Sequence, residues 1–287
     1  MKRVYSISFV IALVLALTIP ARAADYAKLD KEVGALEDFI WDIAYHVWEF
    51  AELGYQELKS SAAESTALKK HGFTISDRGI GGLDTSWIAT WGSGSPVVGY
   101  LVEFDALPGL GNDTVPRKQP AKSGNPNGHG CGHNLIGAAA VGAALGTAVV
   151  LGELRGTVSV IGTPAEEYLG QVEGKLKLLE AEAFQDVDVA LMIHPQYANR
   201  VLSGDLGLVA CELTFTGHPA HAAADPWNGT NALDGLLLTY NNINALRQHL
   251  QPEIRVHGII TDGGQAPNII PERASASLMV RADTPEK

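Results

Sequence analysis

The sequence predicts an α/β fold: a mainly parallel sheet flanked by helices, followed by a smaller α+β unit. Three observations predict it. Short, nearly uncharged apolar runs at residues 97–104, 157–162 and 187–193 read as strands buried on both faces. Helical patterns alternate with them, which is the order of a mainly parallel sheet. Near residue 204 the pattern changes to strand, long helix and two strands, the order of a separate α+β unit.

Residues 1–23 stand apart from both units. A basic Met1-Lys2-Arg3 start, an apolar run at 10–19 and an Ala21-Arg22-Ala23 cleavage site read as a secretory signal peptide, removed after Ala23. The protein is therefore expected to be exported, to a periplasm or to the medium. The apolar run is too short to span a membrane comfortably. Residues 28–50 carry one apolar stripe at helical spacing, from Leu29 and Val33 to Val47 and Phe50. Residues 60–71 read as a second helix closed by Gly72. Residues 87–91 read as a strand, and 108–132, rich in Gly, Pro and Asn, as a loop.

Residues 134–151 contain no charge at all. Ala and Gly dominate them and their leading edge is polar, so a helix packed against a sheet explains them better than a membrane span. Residues 174–183 are helical. In the second unit, 208–216 reads as a half-exposed strand and 231–250 as an amphipathic helix. Strands at 254–262 and 273–283 flank the turn region at Gly263-Gly264. Thr284-Pro285-Glu286 has the residues of a helix start. No helix follows, so the sequence is expected to be a fragment lacking its C-terminal part. The domain reading is 24–204 for the larger unit and 205–287 for the smaller.

Removing residues 1–23 takes the basic residues from 21 to 18 and the net charge from −11 to −14. An acidic surface of that size argues against nucleic acid or anionic membranes as partners. An apolar fraction of 46% excludes a disordered chain, and two cysteines exclude a disulfide scaffold. A Cys131–Cys211 bridge is not expected, because Cys131 sits in a motif with another use for it.

That motif is Gly128-His129-Gly130-Cys131-Gly132-His133-Asn134. It puts a thiolate and an imidazole on one tight turn, ligands suited to zinc. Thr163-Pro164-Ala165-Glu166-Glu167 follows the 157–162 strand. Adjacent carboxylates in an extended segment point in opposite directions, so one can bind a cation while the other faces a water. Asp105 and His194 also follow predicted strands. Read singly, an acidic turn or a histidine at a strand end is a structural residue. Together these residues fall on the sheet edge where open α/β folds place their sites, and they read as a hydrolytic centre with two divalent ions. Zinc is expected, with manganese and cobalt as alternatives. In the second unit, an Asn and an Arg (Asn268 and Arg281) suit capture of a substrate carboxylate, although each alone reads as a surface residue.

The motifs resemble the metal-dependent amidohydrolase branch of the aminoacylase and glutamate-carboxypeptidase family, peptidase family M20. They are Trp48-x-Phe-Ala-Glu52-Leu-Gly54, Asp105-Ala-Leu-Pro108, the Cys131–His133 turn, Thr163-Pro-Ala-Glu-Glu167, Ile193-His194-Pro195, His221-Ala-Ala and Gly264-Gln-Ala-Pro-Asn268-Ile-Ile-Pro271. The resemblance implies a zinc-exopeptidase-like domain with an inserted, ferredoxin-like lid that also forms a homodimer. It implies Cys131, His133, Glu167 and His194 as metal ligands and Glu166 as general base. The lid His221 would reach a partner subunit's site and stabilise an oxyanion, and Asn268 and Arg281 would hold the substrate carboxylate. The implied substrate is a small N-acyl amino acid or dipeptide. Two departures bear on the site. Glu103 stands where many members have a ligand His, which leaves the role of Asp105 open, and Asn134 stands where many have Asp. The family's last ligand His would come from the C-terminal part that the sequence is expected to lack.

Two rivals remain at this point. One is a cysteine hydrolase with Cys131 as nucleophile and His133 as base, although residues two apart on a glycine turn rarely meet in that geometry. The other is an exported metal- or peptide-binding protein without catalysis.

Overall fold

The computed structural model describes residues 26–151, 155–167, 173–202, 204, 206–284 and 286. The secretory segment read in 1–23, and Pro285 of the closing motif, lie outside the described residues. The chain forms two compact units, residues 1–197 and 198–287.

In the first unit, the apolar stripe of 28–50 is shared by two helices, α1 (Tyr26–Gly34) and α2 (Glu37–Phe50). The helical backbone breaks at Leu36, φ −98° and ψ 2°. The stripe runs on across the break because both helices pack on the same later helix. After α3 (Leu58–Lys70) come β1 (Thr74–Arg78), β2 (Trp87–Ser93) and β3 (Val97–Val102). A long loop then leads to α4 (His133–Leu151), β4 (Gly156–Gly162), α5 (Gly174–Glu180) and β5 (Val189–Leu191). The sheet order is β1-β2-β4-β3-β5. Strands β4, β3 and β5 are parallel, and β2 and β1 add an antiparallel edge. The expected α/β architecture is present, with a mixed sheet.

Trp87, Val102, Phe104, Val158 and Val160 are buried at the centre of the core, as the uncharged runs predict for β3 and β4. The third run behaves differently. Only Val189–Leu191 is a strand, and it lies exposed at the edge of the sheet rather than buried. Among the described residues, α4 is the one helix long and apolar enough to cross a membrane, yet 56% of it is buried against the rest of this unit. Its glycines explain the fit. A β-carbon on Gly142 would sit 2.6 Å from Ile40 Cδ1, and one on Gly146 2.8 Å from Val33 Cγ2. α1 and α2 thus lie closer to α4 than any side chain would allow.

The second unit holds β6 (Gly207–Thr216), α6 (Ala232–Leu246), β7 (Arg255–Asp262) and β8 (Arg273–Ala282). They form the expected β-α-β-β order as an antiparallel sheet, β6-β8-β7. Asn231 caps α6 by accepting from the Leu233 and Asp234 amides. Ala232 and Leu236 of α6 pack on Ala274 and Ala276 of β8.

Glu64 on α3 is fully buried, and neither of its carboxyl oxygens has a hydrogen-bond partner. It lies against α4, where a β-carbon on Gly137 would come within 3 Å of its carboxyl group. Burial raises its pKa well above 4.5. The folded state therefore keeps a proton that the unfolded state releases, and stability falls as pH rises from about 4.5 toward the raised value. Glu64→Gln removes that titration. Urea unfolding at pH 5 and pH 8 should show the variant gaining on the wild type at pH 8, and an equal difference at both pH values would refute the buried-acid account.

Candidate metal centre

The first-unit motifs converge at the C-terminal ends of β3 and β4 and the start of α4. Gly132, at φ +79°, turns the chain into α4, and its carbonyl accepts from the Leu135 and Ile136 amides. This delivers His133, 1% exposed, to the sheet edge. Asp105, just past β3 and equally buried, accepts from His133 Nδ1 at 2.8 Å through Oδ1. Its Oδ2 accepts from the Glu167 amide at 2.9 Å. One carboxylate thus orients the ring and anchors the acidic segment.

With Nδ1 donating to Asp105, Nε2 of His133 faces the carboxylates. It lies 3.4 Å from Glu103 Oε2, 3.7 Å from Glu166 Oε2 and 4.0 Å from Glu167 Oε1. Donor atoms of Cys131, His133 and Glu167 lie within 4.8 Å of one another, as do those of Glu103, His133 and Glu166. His133 Nε2, Glu103 Oε2 and Glu167 Oε1 are buried and have no hydrogen-bond partner. Buried polar atoms normally find partners. Three orphaned atoms converging beside a thiol, in a nitrogen, oxygen and sulfur donor set, fit a divalent ion with zinc-like preferences.

The electrostatics agree. Burial opposes charge on His133, but its hydrogen bond to the Asp105 carboxylate and the charges of Glu103, Asp105 and Glu166 outweigh it and lift the ring to about 9. Burial would raise Asp105 as well, yet His133 and the Glu167 amide hold its carboxyl below the usual range. Glu166, half-buried, is raised by burial and by Glu103 and Glu167 against the opposing charges of Lys175 and His133. Burial and then the Glu167, Glu166 and Glu103 carboxylates push the Cys131 thiol up to about 12. A nucleophilic cysteine needs its thiolate, so this environment speaks against the cysteine hydrolase and for a thiol that ionises onto a cation.

Two residues enter the site that the motifs did not announce. Glu103, noted in the sequence only as a departure from the resembled family, is one, and Lys175 of α5 pairs with it at 2.5 Å. Lys175 also lies 3.3 Å from Glu173, and these carboxylates overcome its burial to raise its pKa. Only the sequence proximity of 174–183 to the Glu166-Glu167 pair pointed toward it. Asn134 faces away, donating to the Ala44 carbonyl of α2 at 3.1 Å. His129 bonds the Val47 carbonyl through Nε2 at 3.0 Å and is held neutral by burial, at about 4.

Within the first unit, His194 is not gathered with these. His194 is exposed and its Nδ1 bonds the Pro195 carbonyl at 2.9 Å. Its neighbour Pro195 does lie at the turn, where a β-carbon on Gly132 would be 3.0 Å from Pro195 Cγ. In the second unit, His221 and Asn268 are brought side by side. His221 pairs with Ile269, and the Ala222 amide donates to the Asn268 carbonyl at 3.0 Å. His221 Nδ1 accepts from the Ala223 and Ala224 amides, both at 3.2 Å, which places the ring proton on Nε2. Arg281 stands at the far end of β8 from the loop carrying Asn268, beside Leu208 and Arg255. At strand rise the length of β8 separates them by roughly 27 Å, so within one unit they cannot clamp the same carboxylate.

Residues 204–287 match the family described as the peptidase dimerisation domain. The chain is 35% identical over 261 residues to a p-aminobenzoyl-glutamate hydrolase of Escherichia coli, covering 90% of this chain and 53% of that protein. It is 36% identical over 258 residues to Xaa-Arg dipeptidase of Mus musculus, covering 82% and 53%. It thus spans about half the length of these relatives. Among solved structures it is similar to a dinuclear metal-binding peptidase from Bacillus subtilis, with a TM-score of 0.62 and 24% identity, covering 88% of this chain and 66% of that one.

Cation binding here requires a free His133 Nε2 and an ionised Cys131, both protonated in the metal-free site at neutral pH. Zinc binding should therefore release protons and tighten as pH rises toward 9. Calorimetry in buffers of different ionisation enthalpy measures the release, and proton-neutral binding would exclude these two ligands.

Proposed function

The chain belongs to the M20 peptidase family, and from that premise we propose that it is a metal-dependent hydrolase that cuts the amide bond of N-acyl or N-aroyl amino acids or of dipeptides. The observation that carries the proposal is the set of orphaned donor atoms of Glu103, His133 and Glu167 beside Cys131. Cys131, His133 and Glu167 would hold the metal, with Glu103 toward a second ion and His194 as the further ligand carried from the sequence. When bound, such ions lower the pKa of water and polarise a carbonyl. Asp105 keeps His133 in the tautomer that presents Nε2.

Glu166 sits where a general base is needed, half-buried, raised and 3.7 Å from His133 Nε2. It takes a proton from the attacking water and hands it to the leaving nitrogen. His221, with its proton on Nε2, would reach the centre of a second copy and donate to the developing oxyanion there. Asn268, adjacent to His221, contacts the substrate carboxylate. Arg281 would act on a carboxylate only apart from Asn268. In this reading the chain pairs with a second copy through residues 204–287, and residues 1–23 direct its export.

Release of amino acid from p-aminobenzoyl-glutamate, hippurate and dipeptides, with and without chelator, tests the proposal together with metal content. About two metals per chain and chelator-sensitive hydrolysis are expected. Glu166→Gln should keep the metal and lose about 10²–10⁴ in turnover, the scale of general-base catalysis. His221→Ala should lose about 10²–10³, the scale of one oxyanion donor. Metal bound with no hydrolysis of any amide would favour the non-catalytic binding protein.

A further inference from the structure

The segment between α2 and α3 has no part in the chemistry above, yet it forms the back wall of the centre. The Ala106 amide donates to the Glu52 carbonyl at 2.8 Å, and Leu53 pairs with Ala106, so the segment is stitched to the residue after Asp105. Gly54 then passes so close that a β-carbon would lie 3.2 Å from Ala165 Cα and 3.5 Å from Asp105 Oδ2. Glu57 follows, with no solvent exposure. Its Oε1 accepts from the Ala165 amide at 2.7 Å and its Oε2 from Thr85 Oγ1 at 3.1 Å.

Ala165 is the residue that needs holding. It has φ +55°, a left-handed conformation that residues other than glycine seldom adopt. Glu166 and Glu167 follow it directly, and their carboxylates diverge. Glu166 joins Glu103 and His133, while Glu167 joins Cys131 and His133. The direction each takes depends on the backbone that leads into them.

We propose that Glu57 is a positioning residue for the Glu166-Glu167 pair: its carboxyl, itself fixed by Thr85, clamps Ala165 in the left-handed conformation and so sends the two acidic side chains to opposite groups of the centre. The proposal rests on the metal-centre reading of those residues. Glutamine in place of Glu57 keeps an acceptor for the Ala165 amide and can donate to Thr85, so shape and not charge carries the function. Glycine in place of Ala165 enters the left-handed region freely and lessens the need for the clamp.

Zinc alone is the probe. Its affinity is measured by competition with a chelator, and the hold on the Ala165 amide by hydrogen exchange, with folding followed by circular dichroism. Glu57→Ala should weaken zinc about 10–100-fold and Glu57→Gln by less than about threefold, as for partners that orient a ligand from outside the coordination shell. Exchange at Ala165 should quicken in Glu57→Ala alone, and adding Ala165→Gly should restore part of its zinc affinity. Where hydrolysis is measurable, Glu57→Ala should lower kcat with little change in KM. If Glu57→Ala does not fold, Glu57→Asp, which draws the acceptor back by one methylene, takes its place with the same expectation. Zinc held equally by wild type and Glu57→Ala would overturn the role of Glu57 alone, as would a Glu57→Gln variant as weak as Glu57→Ala. A wild-type chain that takes no zinc would overturn both this role and the metal-centre reading.

Discussion

The two hydrogen bonds accepted by Asp105 are the constraint on which the centre depends. One fixes the ring of His133 and the other fixes the backbone of Glu167. The first, with the Asp105 carbonyl also 2.9 Å from Nδ1, leaves Nε2 of His133 facing the carboxylates, and the second adds to the bond from the Thr163 amide to the Val102 carbonyl of β3 in holding the acidic segment. The first is buried and the second partly buried, where a hydrogen bond is electrostatically strong and its loss leaves unpaired groups. The open question about Asp105 that the sequence leaves is thereby answered in geometric terms: it touches the imidazole and an amide, and it stands behind the donor atoms rather than among them.

Around that pair the site collects three carboxylates in partly or fully buried positions. Glu103, Glu166 and Glu167 crowd one imidazole and one thiol. The molecule answers in two ways. Lys175 neutralises Glu103 from one side, and His133 retains a proton well above neutrality on the other. Both responses are those of carboxylates confined beside one another away from water. A surface acidic turn would disperse the same charge into water and would show neither effect.

Much of this was legible in the sequence. The uncharged runs marked β3 and β4, the glycines marked the turn into α4, and the carboxylates placed just past strand ends did meet there. What escaped was set by partners distant in the chain. β1 has the polar sequence Thr-Ile-Ser-Asp-Arg and owes its strand conformation to pairing with β2, which no local pattern records. The break at Leu36 is hidden because the apolar stripe serves the same surface of α4 on both sides of it. β5 is as apolar as its neighbours, and only the strand order reveals it as an edge. The strand read at 273–283 matches β8, but the reading that joins Asn268 and Arg281 misses that β8 runs between them. Glu57 lies 108 residues from the amide it holds and has no signal of its own.

Those sequence separations bear on how the centre comes into being. The Asp105–His133 bond closes a span of 28 residues, Asp105–Glu167 one of 62 and Glu57–Ala165 one of 108. Each closure has an entropic cost that a short peptide cannot recover. An unfinished chain that ends before Glu166 and Glu167 has Glu103, Cys131 and His133 but lacks the rest of the donor set. The full donor set exists only once three distant stretches have met across a formed sheet, so its assembly coincides with completion of the α/β topology. A cation held there would therefore report that residues 57–167 have come together, and a chain misfolded along those spans would fail to hold one.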